Sequence, residues 1–124
     1  MTQKEQKWLV LLFALNELGG GGQRSRVLQH INDCAYWHKN DQNDTLCRTR
    51  NEMVWRNDFS FERQHLVAHG YMKTGGQGNW EITETGKRQL SALVEQAKHE
   101  DGGENLCYTA VFFQKLFPVQ KTWI

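Results

Sequence analysis

Proline is almost missing from this 124-residue chain: Pro118 is the only one. Nothing before the last few residues therefore obliges a helix to break, and no proline-rich linker or polyproline recognition segment exists. Cysteine is scarce as well. Cys34, Cys47 and Cys107 are odd in number, widely separated and never spaced Cys-x-x-Cys. That pattern excludes a disulfide-stapled scaffold and predicts free thiols in a reducing, cytoplasmic setting. No apolar run approaches the ~18 residues of a membrane span. The opening MTQKEQKWLVLLFALNELGG has an apolar stretch of only about eight residues with no small-residue cleavage site behind it, so it reads as a core helix and not a signal peptide. A surplus of one charge is lacking too: 15 Lys and Arg oppose 14 Asp and Glu, a net +1. Bulk attraction to a polyanion is thereby excluded, and any positive face must come from how the charges are distributed.

What is present has the proportions of one globular domain, with 39% hydrophobic and 23% charged residues. Trp8, Leu11, Leu12, Leu15 and Leu18 recur at spacings of three and four, predicting a helix over 4–18 that GGGG at 19–22 ends. Ser25 is the expected N-cap of a short second helix whose core residues are Val27, Leu28 and Ile31. Residues 38–50, HKNDQNDTLCRTR, are polar and read as loop. A third helix fits 51–69, with Gly70 as its stop. YMKT, the turn GGQG and NWEIT then read as a β-hairpin. Thr83 is placed to cap a fourth helix striped by Leu90, Leu93, Val94 and Ala97. DGGE at 101–104 reads as a linker before an apolar tail with a helix at about 105–117, bounded by Pro118.

The expected fold is thus mainly α with a small β-hairpin: a winged helix-turn-helix of three helices and a two-stranded wing, followed by further C-terminal helices. Residues 1–100 form the winged-helix domain, and 101–124 a linker and apolar helix, either a dimerisation element or the start of a missing domain. In that arrangement the third helix enters the major groove of DNA and GGQG is the wing tip. Rival readings of the glycines fail on their neighbours. GGQGNW lacks the Lys followed by Ser or Thr that a phosphate-binding P-loop requires. A dinucleotide fingerprint needs a helix opening at the glycines, where a strand is expected here.

On a helical wheel, Trp55, Phe59, Glu62 and Leu66 share one side of the third helix, and Arg56, Asn57, Ser60, Arg63 and Gln64 fall broadly opposite. The latter are the donors and acceptors that suit base edges and phosphates. An ordinary solvated helix face would look similar, and Asp58 and Glu62 would repel phosphate if they faced it. Lys73 and Gln77 in the wing are candidates for backbone or minor-groove contact. Arg24 and Arg26 could hold a phosphate at the start of the second helix, and Arg48 and Arg50 lie just before the third.

NDFSFERQHLVAHGYMKTGGQGNWEITETGKRQL resembles the N-terminal winged-helix domain of Mrr-type restriction endonucleases. Asn57, Arg63, Leu66, Gly70, Trp80, Ile82, Thr83 and Gly86 match that family's pattern, Phe59 and Phe61 keep its apolar and aromatic positions, and Lys87 stands where Arg is usual. The resemblance covers 57–90 well and 8–31 more loosely. Asp58 replaces a usual Arg, Glu62 replaces a small residue, and the 34–50 loop has no counterpart. The resemblance implies a double-stranded DNA recognition module of a restriction system, without catalytic activity, that accompanies a nuclease domain or subunit and senses methylated bases. A methyl reader needs an aromatic or aliphatic pocket beside the recognition helix; Trp55, Tyr36 and Trp37 are the candidates. Trp80 is expected to anchor the wing.

Other chemistry is thinly represented. His30, Cys34 and His38 recur every four residues, but Asn32–Asp33 weaken a helix that would align them, so no metal or cofactor is expected. HLVAH lacks the Glu of the metalloprotease helix. ETGK spaces Glu84 and Lys87 wrongly for an Asp…Glu-x-Lys nuclease core. Two further readings remain open: a stand-alone winged-helix transcription regulator, as a homodimer joined through 105–117, and a winged helix used for protein interaction.

Overall fold

The computed structural model describes residues 1–100 and 106–118. Five helices, α1 (Gln3–Glu17), α2 (Arg24–Asp33), α3 (Val54–Ala68), α4 (Glu84–Lys98) and α5 (Ala110–Leu116), are joined by two short strands, β1 (Gly21–Gln23) and β2 (Asn79–Glu81). The layout is that of a winged helix. Among the described residues no helix is long and apolar enough to cross a membrane.

α1 is the centre. Its N-terminus carries a capping box between Thr2 and Glu5. Beyond the expected stripe, Trp8 through Leu12, Ala14 and Leu15 are all buried. A helix apolar on nearly every side must be covered on every side, and α2, α3 and α4 all pack against it. Thr83 caps α4 as expected, accepting the Gly86 N–H at 2.9 Å, and Leu90, Leu93 and Ala97 are buried.

The wing differs in its pairing. Gly19 and Gly20 (φ +87° and +111°) turn the chain after α1, and Gly21–Gln23 then pair antiparallel with Asn79–Glu81. A side chain at Gly21 would stand 2.5 Å from the Trp80 carbonyl oxygen, so the tetraglycine run is a helix stop and also a strand that only glycine lets approach β2. The YMKT side of the hairpin contributes one bridge, Met72 to Ile82, and the Lys73 N–H bond to Glu81 O at 2.9 Å. Gln77 and Gly78 (φ +57° and +76°) form a tight tip closed by the Asn79 N–H to Gly76 O bond. Trp80 is buried as expected.

Two helix starts are also shifted. α2 begins at Arg24, with Gln23 and not Ser25 at the N-cap, because the extended strand runs straight into it and the wing's Gly78 carbonyl accepts the Arg24 N–H at 2.8 Å. α3 begins at Val54, since the residues before it are held in a small hairpin of their own. The DGGE linker lies outside the described residues. The segment after it packs back on the domain. Trp37 and Tyr108 form a bridge, the His38 N–H bonds Cys107 O at 2.8 Å, and buried Gln6 accepts the Cys107 N–H at 2.5 Å. Pairing of 107–109 with 36–38 delays the tail helix to Ala110, where Thr109 caps it, and Pro118 follows its end.

Two substitutions test this packing. Phe112 is fully buried against Phe13, Tyr36 and Tyr108, so Phe112→Ala should cost about 3–5 kcal/mol in urea unfolding; a loss near zero would mean the tail does not dock. At Gly86 a methyl would lie 2.0 Å from the Tyr71 carbonyl oxygen, so Gly86→Ala should lower stability by roughly 2 kcal/mol or more through overpacking.

Candidate nucleic-acid interface

The roll of α3 about its axis decides which side chains reach solvent. Trp55, Phe59, Glu62 and Leu66 face the core, as the wheel predicts. Glu62 is buried because its carboxylate accepts the Trp8 indole N–H at 3.0 Å and lies 3.0 Å from His65 Nδ1. Asp58 turns to the flank shared with Lys7 and Trp37, beside a cleft of about 380 Å³. Neither acid therefore joins the arginine-bearing side of α3.

That side is built at the junction of α2, α3 and the segment before α3. Arg24 Nε donates to Ser60 Oγ at 2.9 Å, and its guanidinium pairs with Glu52. Arg56 donates to Gln29 Oε1 at 3.1 Å while lying 4.9 Å from the Trp55 ring centroid, and Arg50 donates to Asn57 Oδ1 at 3.1 Å. Partial burial holds the Arg24 pKa below the usual arginine range, and repulsion from Arg56 and Arg50 adds to it. Three cations thus stand close enough to feel one another, around a cleft of about 490 Å³ also lined by Leu46 and Met53. Among the described residues only Arg24 of this set has a carboxylate at ion-pair distance; Arg26, Arg48, Arg50, Arg56 and Arg63 have none.

Other candidates are more committed to the fold. Arg63 donates to the Lys73 carbonyl at 3.4 Å, tying α3 to the wing. Lys73 pairs with Glu81 at 2.5 Å, a bond that raises its pKa although the side chain is exposed. Gln77 sits at the wing tip, exposed. Arg26 and Arg48 are exposed. Asn57 and the exposed Gln64 look outward from α3, and beside them on the same side stands Phe61, 54% exposed. In the sequence Phe61 counts only as an aromatic position of the family pattern and not as a contact candidate; its phase, two residues from inward-facing Phe59, was the available signal for an outward side chain.

The three aromatic candidates do not form an open pocket. Tyr36 is 1% exposed, packs on Phe13 and Phe112 and donates its hydroxyl to Glu17 at 2.5 Å. Trp37 and Trp55 are buried on either side of Phe59, and cations from Lys39 and Arg56 cover the Trp55 ring. The demand for core area around α1 and α3 took all three.

His30 and Cys34 are neighbours, with Sγ 3.7 Å from Nε2, but no third ligand joins them among the described residues. α2 ends at Asp33, Ala35 turns the chain with φ +55°, and His30 lies 3.0 Å from Glu17. Among the described residues no three His, Cys, Asp or Glu side chains converge as metal ligands would. His69 stacks on Tyr71 and meets Trp8 edge-on.

The model of one protein family, described as the Mrr N-terminal domain, matches residues 6–92. No curated protein and no solved structure matches the chain.

Asp58 yields a pH prediction. Burial raises its pKa and Glu62 adds to the effect, while Lys7 opposes it. A carboxyl with a raised folded pKa favours the folded state while protonated, and that contribution is lost as pH rises through the folded pKa. Asp58→Asn should therefore raise stability at neutral pH and flatten the loss of stability that sets in as pH rises above the ordinary aspartate range, measured as urea midpoints from acid to neutral pH. A fall of unchanged steepness would place the responsible group elsewhere.

Proposed function

Because the chain belongs to the Mrr N-terminal domain family, domains of restriction proteins that are not their catalytic part, we propose that it recognises double-stranded DNA with the outward face of α3. One observation carries this reading. On a nearly neutral protein, Arg24, Arg50 and Arg56 converge where α2 and α3 begin, while both acids of α3 are turned away. Positive charge gathered at the mouth of a helix whose outer face presents Asn57, Phe61 and Gln64 suits phosphate contacts that position and base contacts that specify. Gln64 is free to meet adenine; Asn57, bonded to Arg50, would exchange that bond for a base or orient the arginine.

The same face offers a route to reading methyl groups. A 5-methyl on a pyrimidine projects into the major groove and takes an apolar partner. Phe61, exposed on α3, suits that contact better than the buried Trp55, Tyr36 or Trp37. Catalysis would fall to a separate nuclease domain or subunit.

Short duplexes, unmodified and carrying N6-methyladenine, 5-methylcytosine or 5-hydroxymethylcytosine, titrated at several salt concentrations test this. Salt-dependent binding is expected, with Arg56→Ala lowering the salt slope by about one. Phe61→Ala should remove a preference of roughly fourfold for the methylated duplex, the worth of one buried methyl. Binding indifferent to modification would point to an unmodified operator, and no binding at low salt would sink the proposal.

A further inference from the structure

The polar segment before α3, expected as loop, proves to be a built element. The Cys47 N–H donates to Glu52 O and the Val54 N–H to Thr45 O, each at 2.8 Å, and Leu46 bridges Met53. Residues 45–53 are therefore a β-hairpin whose tip is Arg48-Thr49-Arg50-Asn51, exposed at all four positions. It is braced on two sides. Glu52 pairs with Arg24 at the start of α2, and Arg50 bonds Asn57 in the second turn of α3. Arg24 joins this hairpin to the wing, since its backbone N–H bonds Gly78 O at the wing tip while its side chain holds Glu52. Two β-elements thus flank the first turn of α2.

The hairpin combines features that solvent alone does not call for. Arg48 and Arg50 have no carboxylate at ion-pair distance among the described residues, and Leu46 is 58% exposed at the rim of the arginine-lined cleft. A phosphate contact would use the arginines and leave Leu46 idle. A narrow groove with apolar sugar walls and concentrated negative potential uses both, and the DNA minor groove has that character: arginine is drawn into it, and aliphatic side chains pack against its walls.

We propose that the 45–53 hairpin is a second DNA-contacting arm. It enters the minor groove next to the major-groove segment held by α3, with Arg48 in the groove and Leu46 against the deoxyribose. This rests on the DNA-binding reading above. The arm adds selectivity for groove width and for A·T over G·C pairs at positions α3 does not touch.

The test uses the full chain on a duplex enriched from a random pool, comparing Arg48→Ala, Leu46→Ser and their combination with Thr49→Ala as control, each checked for an unchanged thermal unfolding curve. Both single variants should bind several-fold more weakly. Only Arg48→Ala should lower the salt slope, by about one. Hydroxyl-radical footprinting should show a patch of protected deoxyriboses that the double variant loses. Replacing A·T by I·C pairs under that patch, which keeps the minor-groove pattern while changing the major groove, should leave binding unchanged. Wild-type binding of the double variant would overturn the arm while leaving DNA recognition by α3 intact. Weaker binding with the sugar protection intact would reduce the hairpin to a phosphate contact and overturn the minor-groove assignment. Failure of the wild-type chain to bind any duplex would remove both proposals together.

Discussion

The need to cover α1 on every side organises this domain. A helix whose residues 8–12, 14 and 15 are all buried cannot sit at a surface. α2, α3 and α4 close around it, and the tail completes the cover where Tyr108 and Phe112 pack beside Tyr36 and Phe13. One polar contact in this core is informative. Trp8 brings an indole N–H into the core, and its partner is the Glu62 carboxylate of α3. A buried donor left without that acceptor would cost about 1–3 kcal/mol, so the bond fixes how α3 is rolled as well as where it lies.

From that roll the character of the surface follows. With Glu62 committed inward and Asp58 turned toward Lys7, the flank of α3 beside α2 is left to Arg56, Ser60 and Arg63. A chain with net charge +1 thereby acquires a local positive field, which depends on placement and not on composition. Arg24 has a structural share in this. Bonded to Ser60, Glu52 and, through its backbone, Gly78, it ties α2 to α3, to the 45–53 hairpin and to the wing. Substituting it would disturb the architecture along with the charge, whereas Arg26 and Arg48 stand clear of such ties.

Much of this was legible along the chain because it is local. The periodicity of α1, α3 and α4, the cap at Thr83 and the stop at Gly70 (φ +78°) are set by residues within a turn of one another. The inward face of α3 was correct to the residue. Misread features depend on partners distant in sequence. Gly21–Gln23 became a strand because Asn79–Glu81, over fifty positions later, offered an edge. Ser25 lost the cap of α2 to that same strand. Tyr36, Trp37 and Trp55, plausible as an open aromatic pocket, were taken into the core by Phe59 and by the returning tail.

By itself, then, the amino-acid sequence determined the helices, their apolar faces, the wing's position after the third helix and the family pattern from Asn57 to Lys87, since each rests on short-range periodicity, capping or turn chemistry. Tertiary structure alone decided which arginines gather, which aromatics stay exposed and how the polar loop before α3 closes into a hairpin. Those outcomes hang on bonds such as Trp8 to Glu62, Arg24 to Glu52 and Cys107 to Gln6. Such bonds join residues 28 to 101 positions apart, and nothing in the neighbourhood of either partner announces the other.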